Sequence, residues 1–302
     1  MTIGLAALCK DESGLPRVVV AADRMVTYPG LIEFEHAVRK VAVASTHAIA
    51  MAAGDTLVAT RMIQDVVAAM AGTSPRIADI AAQLAQRYEQ VRTQRVEEQV
   101  LSPRGLTFQA FYGNHQGFHP QLSMVADQAM MQFDLGIELL VAGVDPTGGH
   151  IFTVRNPGHV DQQWDVIGST GIGSGAVHTL QSMIGFRHVP DCGFRETVFW
   201  VYASKKRSEA APGVGVETDV AVISRAGVQW LSSDQVAHLD SVYNHYIRST
   251  SDTLTQELET IDLGRTPTSP PDQPQGLAEL QPEATQSQDS TNQPEEEPGV
   301  ER

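Results

Sequence analysis

The sequence predicts an α+β fold in which two antiparallel sheets are covered by layers of helix. Three observations carry that prediction. Short apolar runs rich in β-branched and small residues occur in pairs joined by tight polar turns. Segments with helical period also occur in pairs. The order along the chain is strands, two helices, strands, two helices, strands. A chain of 302 residues with 42% hydrophobic content can bury the core such a fold needs.

Residues 3–9 and 16–22 ("PRVVVAA") read as a hairpin around the polar turn "KDESGL". "RKVAVAS" and "HAIAMAAG" form a second pair, so the N-terminal quarter is an antiparallel meander. Residues 55–71 switch to helical period, with Leu57, Val58, Met62, Val66 and Ala69 on one side, and a second helix runs from 75 to 98. Between 99 and 135 the pattern selects no single element: "GLTFQAFYGNHQGFHP" is interrupted by glycine, and "MVADQAMMQF" reads as a short helix or as a strand with its loop. Strands return at "IELLVAGVD" and "HIFTVRN" around the turn "PTGG", followed by "WDVIGS". Helices at 173–186 and 193–207 come next, then the strands "TDVAVIS" and "VQWLS", and a final helix over 234–260.

The formal charge of −15 argues against a nucleic-acid binder, because affinity for a polyanion comes mainly from clustered Lys and Arg, and no basic stripe is visible. Eight acidic residues against two arginines place −6 of that charge in residues 263–302. The same stretch holds seven prolines and many Gln, Ser and Thr, so the expected organisation is a folded domain over 1–262 and a disordered acidic tail over 263–302. The first fifteen residues have neither a basic start nor a long apolar run, and no stretch approaches the roughly 18 apolar residues of a membrane span. A cytoplasmic protein is expected. Cys9 and Cys192 give neither a disulfide framework nor metal-ligand spacing and read as plain thiols.

At "VVVAADRMVT", "RKVAVASTHAIAMAAGD", "VAGVDPTGGHIFTV" and "IGSGA", in that order over residues 2–231, the chain resembles a proteasome β-type subunit of the N-terminal-nucleophile hydrolase superfamily. The resemblance implies a four-layer α-β-β-α sandwich. It also implies a threonine-type peptidase whose nucleophile is Thr2, exposed by removal of Met1, with the freed α-amine as general base. Asp23 would be the carboxylate, Lys40 the buried lysine beside the hydroxyl, Gly54 the backbone oxyanion donor, and Ser174 the serine near the terminal amine. Thr27 would pair its backbone with an extended peptide substrate, and Val26, Ala42, Ala52 and Thr56 would line the substrate pocket. No metal or cofactor is implied. The implied partners are a peptide or protein substrate and further copies of the chain in a ring; no nucleic acid or membrane is called for, and an ATPase partner is left unnamed.

The chemistry has independent sense. A terminal amine is about a quarter neutral at cytosolic pH, whereas an unperturbed lysine is about 0.1% neutral, so the amine is the better proton acceptor. A lysine held charged by a carboxylate lowers the cost of a developing alkoxide. Two features depart from the family pattern: Ile3 and Gly4 follow Thr2 directly, and "KKRSEAAPGVGVETD" stands where Arg-Asp and Ser-Gly are usual, so either Glu209 stands in for that acid or nothing does. These departures favour one alternative, an inactive scaffold that keeps the fold; the resemblance also leaves open an amidase or transpeptidase of the same superfamily.

Other motifs carry less. "GSTGIGSGA" lacks the lysine and spacing of a phosphate loop and reads as a helix-entry turn. Ser174 lacks the first glycine of a nucleophile elbow. His115 and His119 flank Gly117 without a third acidic ligand and read as a surface loop, and Met124, Met130 and Met131 read as core or interface filler. Deletion of residues 263–302 is expected to leave the thermal unfolding midpoint within a few degrees of the full chain, since that composition has no face to bury.

Overall fold

In the first hairpin, β1 (Gly4–Lys10) and β2 (Pro16–Asp23), every residue from Leu5 to Cys9 and from Val18 to Ala22 is buried. Alternate positions enter different cores. Ala6, Leu8, Val18, Val20 and Ala22 pack on one face, and Leu5, Ala7, Cys9, Val19 and Ala21 pack on the other. A sheet buried on both faces has no polar side to display, which explains why these strands read as unbroken apolar runs.

The computed structural model describes residues 3–28, 32–36, 39–114 and 117–261, with only the backbone at 27, 28, 32 and 33. Thr2, His115 and the whole of 263–302 lie outside the described residues. Contacts group the chain into Met1–Asp252 and Thr253–Arg302. All the sheets belong to the first unit. Of the second, the described part is the end of the last helix and the two residues after it.

Two five-stranded antiparallel sheets build the core. The first has the order β10 (Ser169–Ile172), β1, β2, β11 (Thr218–Ser224), β12 (Gly227–Trp230). The second runs β5 (Val41–Ser45), β6 (Ala48–Ala53), β7 (Glu138–Asp145), β8 (Gly148–Arg155), β9 (His159–Asp161). Their facing sides share one cluster, in which Leu8, Val20 and Ile223 from the first sheet meet Ile49, Met51 and Leu140 from the second. The outer face of the second sheet carries α1 (Thr56–Ala69) and α2 (Ile77–Val96) through Met62, Ile80, Leu84 and Tyr88. The outer face of the first carries α6 (Ala176–Gly185), α7 (Phe194–Ser208) and the start of α8 (Ser233–Glu259) through Met183, Val201, Tyr202 and Leu239. The layers are thus helix, sheet, sheet, helix.

Several elements differ from the sequence reading. "WDVIGS" is not a strand throughout: Trp164–Ile167 forms a helical turn, α5, closed by Gly168 at φ 91°, and only then does β10 begin. In α1 the buried residues are Ala59, Met62, Ile63 and Val66, while Leu57 is 85% exposed and Ala69 also faces out. Asp55 caps this helix through the N–H groups of Leu57 and Val58, which fixes Leu57 in the first turn, clear of the sheet. The ribbon β3 (Met25–Tyr28) and β4 (Ile32–Glu35), and the short β9, were not foreseen. The 99–135 region holds a π turn (Glu97–Leu101), α3 (Phe108–Asn114) and α4 (Pro120–Met131) around their own apolar cluster. Met130 is buried there, whereas Met124 and Met131 are exposed. Burial pushes the Cys9 thiol up to about 12, as suits an inert core thiol.

The β7–β8 turn is fastened by a chain of polar groups. Thr147 Oγ1 donates to Asp145 Oδ1 at 2.5 Å and lies 2.7 Å from His150 Nε2, while His150 Nδ1 lies 2.6 Å from Asp165 Oδ2. Asp165 next to the ring, with a smaller contribution from Asp145, holds the imidazole above its ordinary range. A raised folded-state pKa supplies stability that is complete below the unfolded value and lost as pH rises through the folded one. The stability gap between wild type and His150→Gln, measured by urea unfolding, is therefore expected to be widest below about pH 6.5 and to narrow on the alkaline side.

Candidate active site

The β1–β2 ladder places Gly4 opposite Ala22. The next step brings Ile3 beside Asp23, whose N–H donates to the Ile3 carbonyl at 3.3 Å. The Asp23 side chain returns the contact: its Oδ1 accepts from the Ile3 N–H at 3.0 Å and from Lys40 Nζ at 3.0 Å. Oδ2 accepts from the N–H groups of Met25 at 3.1 Å and Gly215 at 3.0 Å. Asp23 is fully buried and the Lys40 side chain is 9% exposed. A buried carboxylate is tolerable here because a cation and three backbone donors replace its water. Burial pushes the Lys40 ammonium below its ordinary range, and the adjoining Asp23 pulls it back up.

Gly215 belongs to the segment between α7 and β11, which three side chains hold. Glu35, at the end of β4, accepts from the N–H groups of Val216 and Glu217. Lys205, in the last turn of α7, donates to the Gly215 and Val216 carbonyls at 2.7 and 2.8 Å. Asp23 takes the Gly215 N–H. A Cβ on Gly215 would lie 2.5 Å from Glu35 Oε1 and 2.9 Å from Met25 Cβ, so only glycine fits. Glu209, named above for the place of the family's acid, is paired with Lys205 at 2.7 Å and Lys206 at 3.0 Å.

The Ile3 side chain is buried with Ala211 and Val214. Gly175 closes the same seat: a Cβ there would lie 3.2 Å from each of Ile3, Ser208 and Val214. Ser174, one residue earlier in the β10–α6 turn, is exposed and donates from Oγ to the Pro212 carbonyl at 3.3 Å. It does not cap α6, whose N-cap is Gly175. The structure thus joins Asp23, Lys40, Ile3 and the Ser174 turn through direct contacts.

Gly54 follows β6 with φ 99°, and a Cβ on it would lie 1.8 Å from the Gly136 carbonyl oxygen. It follows three residues after Met51, which pairs with Val41, the neighbour of Lys40. Ala42 and Ala52 are partly buried and pack with the α1–α2 side of the second sheet. Thr56 opens α1, exposed, with Oγ1 donating to the Gly54 carbonyl at 3.3 Å. Val26 is half-buried in β3, and the Thr27 backbone pairs with Glu33 across the β3–β4 ribbon. Among the described residues no group of His, Cys, Asp and Glu could hold a metal ion, and no helix is long and apolar enough to cross a membrane.

Sequence reasoning missed Gly215, Lys205 and Glu35. The "PGVGVETD" stretch carried the only signal, two glycines between a helix and a strand. Neither a protein-family model nor a curated protein matches this chain. The geometry of the buried pair predicts its energetics. Lys40→Met leaves the Asp23 charge uncompensated and is expected to cost about 3–5 kcal/mol in denaturant unfolding. Adding Asp23→Asn should recover part of that loss, because the orphan charge is then removed as well.

Proposed function

We propose that this chain is a threonine-type amide hydrolase of the proteasome β kind, with the α-β-β-α sandwich of N-terminal-nucleophile hydrolases and Thr2 as nucleophile. The observation that supports this most is the convergence of the Ile3 N–H and Lys40 Nζ on one oxygen of Asp23. Ile3 is one peptide bond from residue 2, so a buried carboxylate–lysine pair adjoins the start of the chain.

In this reading Met1 is removed and the freed α-amine of Thr2 takes the hydroxyl proton as Oγ attacks the substrate carbonyl carbon. Lys40, kept charged by Asp23, favours the forming alkoxide. The Gly54 N–H stabilises the tetrahedral oxyanion. The C–N bond breaks as the amine leaving group takes the proton, and water then cleaves the Thr2 ester through the same base. A peptide in extended form is the substrate class, with the small side chains Ala42 and Ala52 leaving room beside the sheet. The protein acts in the cytoplasm and assembles as a closed ring.

A second reading is a scaffold that keeps the fold without the chemistry. The engagement of Glu209 by two lysines favours it, since that acid is then occupied.

Intact mass and a covalent probe separate the two. The enzyme is expected to lack Met1 and to add a peptide epoxyketone, which bridges a hydroxyl and its adjacent amine, at Thr2. Thr2→Ala should abolish the adduct with unfolding unchanged. A retained Met1, or a processed protein that takes no adduct, leaves the scaffold.

A further inference from the structure

Lys205 is the most enclosed cation in the described fold, with no exposed side-chain surface. A lysine held this way is expensive, because burial disfavours the ammonium, and here burial does push it below its ordinary range against the pull of Glu209. An apolar side chain of similar length would fill the space at lower desolvation cost.

The three acceptors of Lys205 Nζ are Glu209 Oε1 at 2.7 Å and the carbonyls of Gly215 and Val216. The peptide unit preceding Gly215 gives its N–H to Asp23 Oδ2. Val214, immediately before it, forms the seat of the Ile3 side chain. Two routes therefore run from Lys205 to Ile3, one through the Gly215 amide and Asp23, the other through Val214. The charged groups around the ammonium are Glu209, Lys206 and Asp23.

We infer that Lys205 is a positioning residue: by gripping the Gly215 and Val216 carbonyls it sets the carboxylate plane of Asp23 and the seat of Ile3, and so the placement of the nucleophilic start of the chain. This rests on the proposed reading of Asp23 and Lys40 as the catalytic pair. Lys205 does not touch the reacting atoms. Its influence is geometric, and a misplacement of about 1 Å at a reacting group is enough to slow a reaction about a hundredfold.

The test uses the full chain carrying Lys205→Met together with Glu209→Gln, which removes both charges and leaves no orphan. Three quantities are compared with wild type: cooperative thermal unfolding, hydrogen exchange over residues 3–8 and 214–218, and the rate of epoxyketone addition as a function of pH. The double variant is expected to unfold cooperatively, to exchange faster in both segments, and to label about tenfold to a hundredfold more slowly with a displaced pH midpoint. Glu209→Gln alone keeps both carbonyl contacts but leaves the buried ammonium without its carboxylate, so it should lose stability yet label faster than the double variant. If the double variant does not fold, Lys205→Arg, which keeps the charge but splays its donors, should give the same direction of change.

A variant that labels at the wild-type rate and pH midpoint, with or without lower stability, overturns the inference and makes Lys205 a structural residue only. Unchanged exchange over 3–8 overturns it as well. A wild-type protein that takes no label overturns instead the catalytic reading on which the inference stands.

Discussion

The carboxylate of Asp23 is the constraint on which the site depends. It sits without solvent at the point where the β1–β2 ladder ends, and backbone and side-chain donors from four parts of the chain converge on it. Each satisfies a lone pair that would otherwise be buried and unmet. Their joint effect is to pin the first described residue, the lysine before β5 and the segment before β11 to one another. Removing any one leaves a charged group short of a partner, so these separate stretches hold together or loosen together.

The sandwich makes such a junction possible. Strand parity sends alternate side chains into two different apolar layers, and that commitment fixes register strongly, since a one-residue slip would exchange the layers. The buried carboxylates lie at or beside strand ends, as at Asp23, Asp145 and Asp219. Asp23 ends β2, Lys40 precedes β5, Gly54 follows β6, and Ser174 follows β10. The strands supply fixed positions, and their ends hold the candidate site residues.

Much of the fold was legible because period-2 and period-3.6 apolar patterns report burial directly: β1, β2, β5 to β8, β11 and β12 and the main helices lie close to where those patterns put them. The turn at Trp164–Ile167 was misread because a four-residue helix has no periodicity of its own. Its signature is Gly168 in the left-handed region, a backbone property. The face of α1 was drawn one turn too wide for the same reason, since capping by Asp55 decides where Leu57 points. At the site, Asp23 and Lys40 were singled out by the resemblance to the proteasome β-type pattern; as bare charges beside apolar strands they read as a salt bridge or a solvated strand end. Lys205 was not singled out, because in "SKKRS" a buried lysine looks like its solvated neighbours, and only the path of the chain after α7 distinguishes it. Glu35 was hidden for the same cause, its partners being backbone amides far away in sequence.

The approach of Gly54 to Gly136 has a mechanical meaning. Two side chains in contact can absorb a displacement by changing rotamer, but backbone against backbone has no such slack. Gly136 closes the excursion that leaves the sandwich after α2 and returns at β7, and it meets the chain just past β6 backbone to backbone. Any side chain at residue 54 would have to displace the peptide at 136, so the rim of the candidate site tolerates no substitution there without a shift where the chain re-enters the sheet at β7.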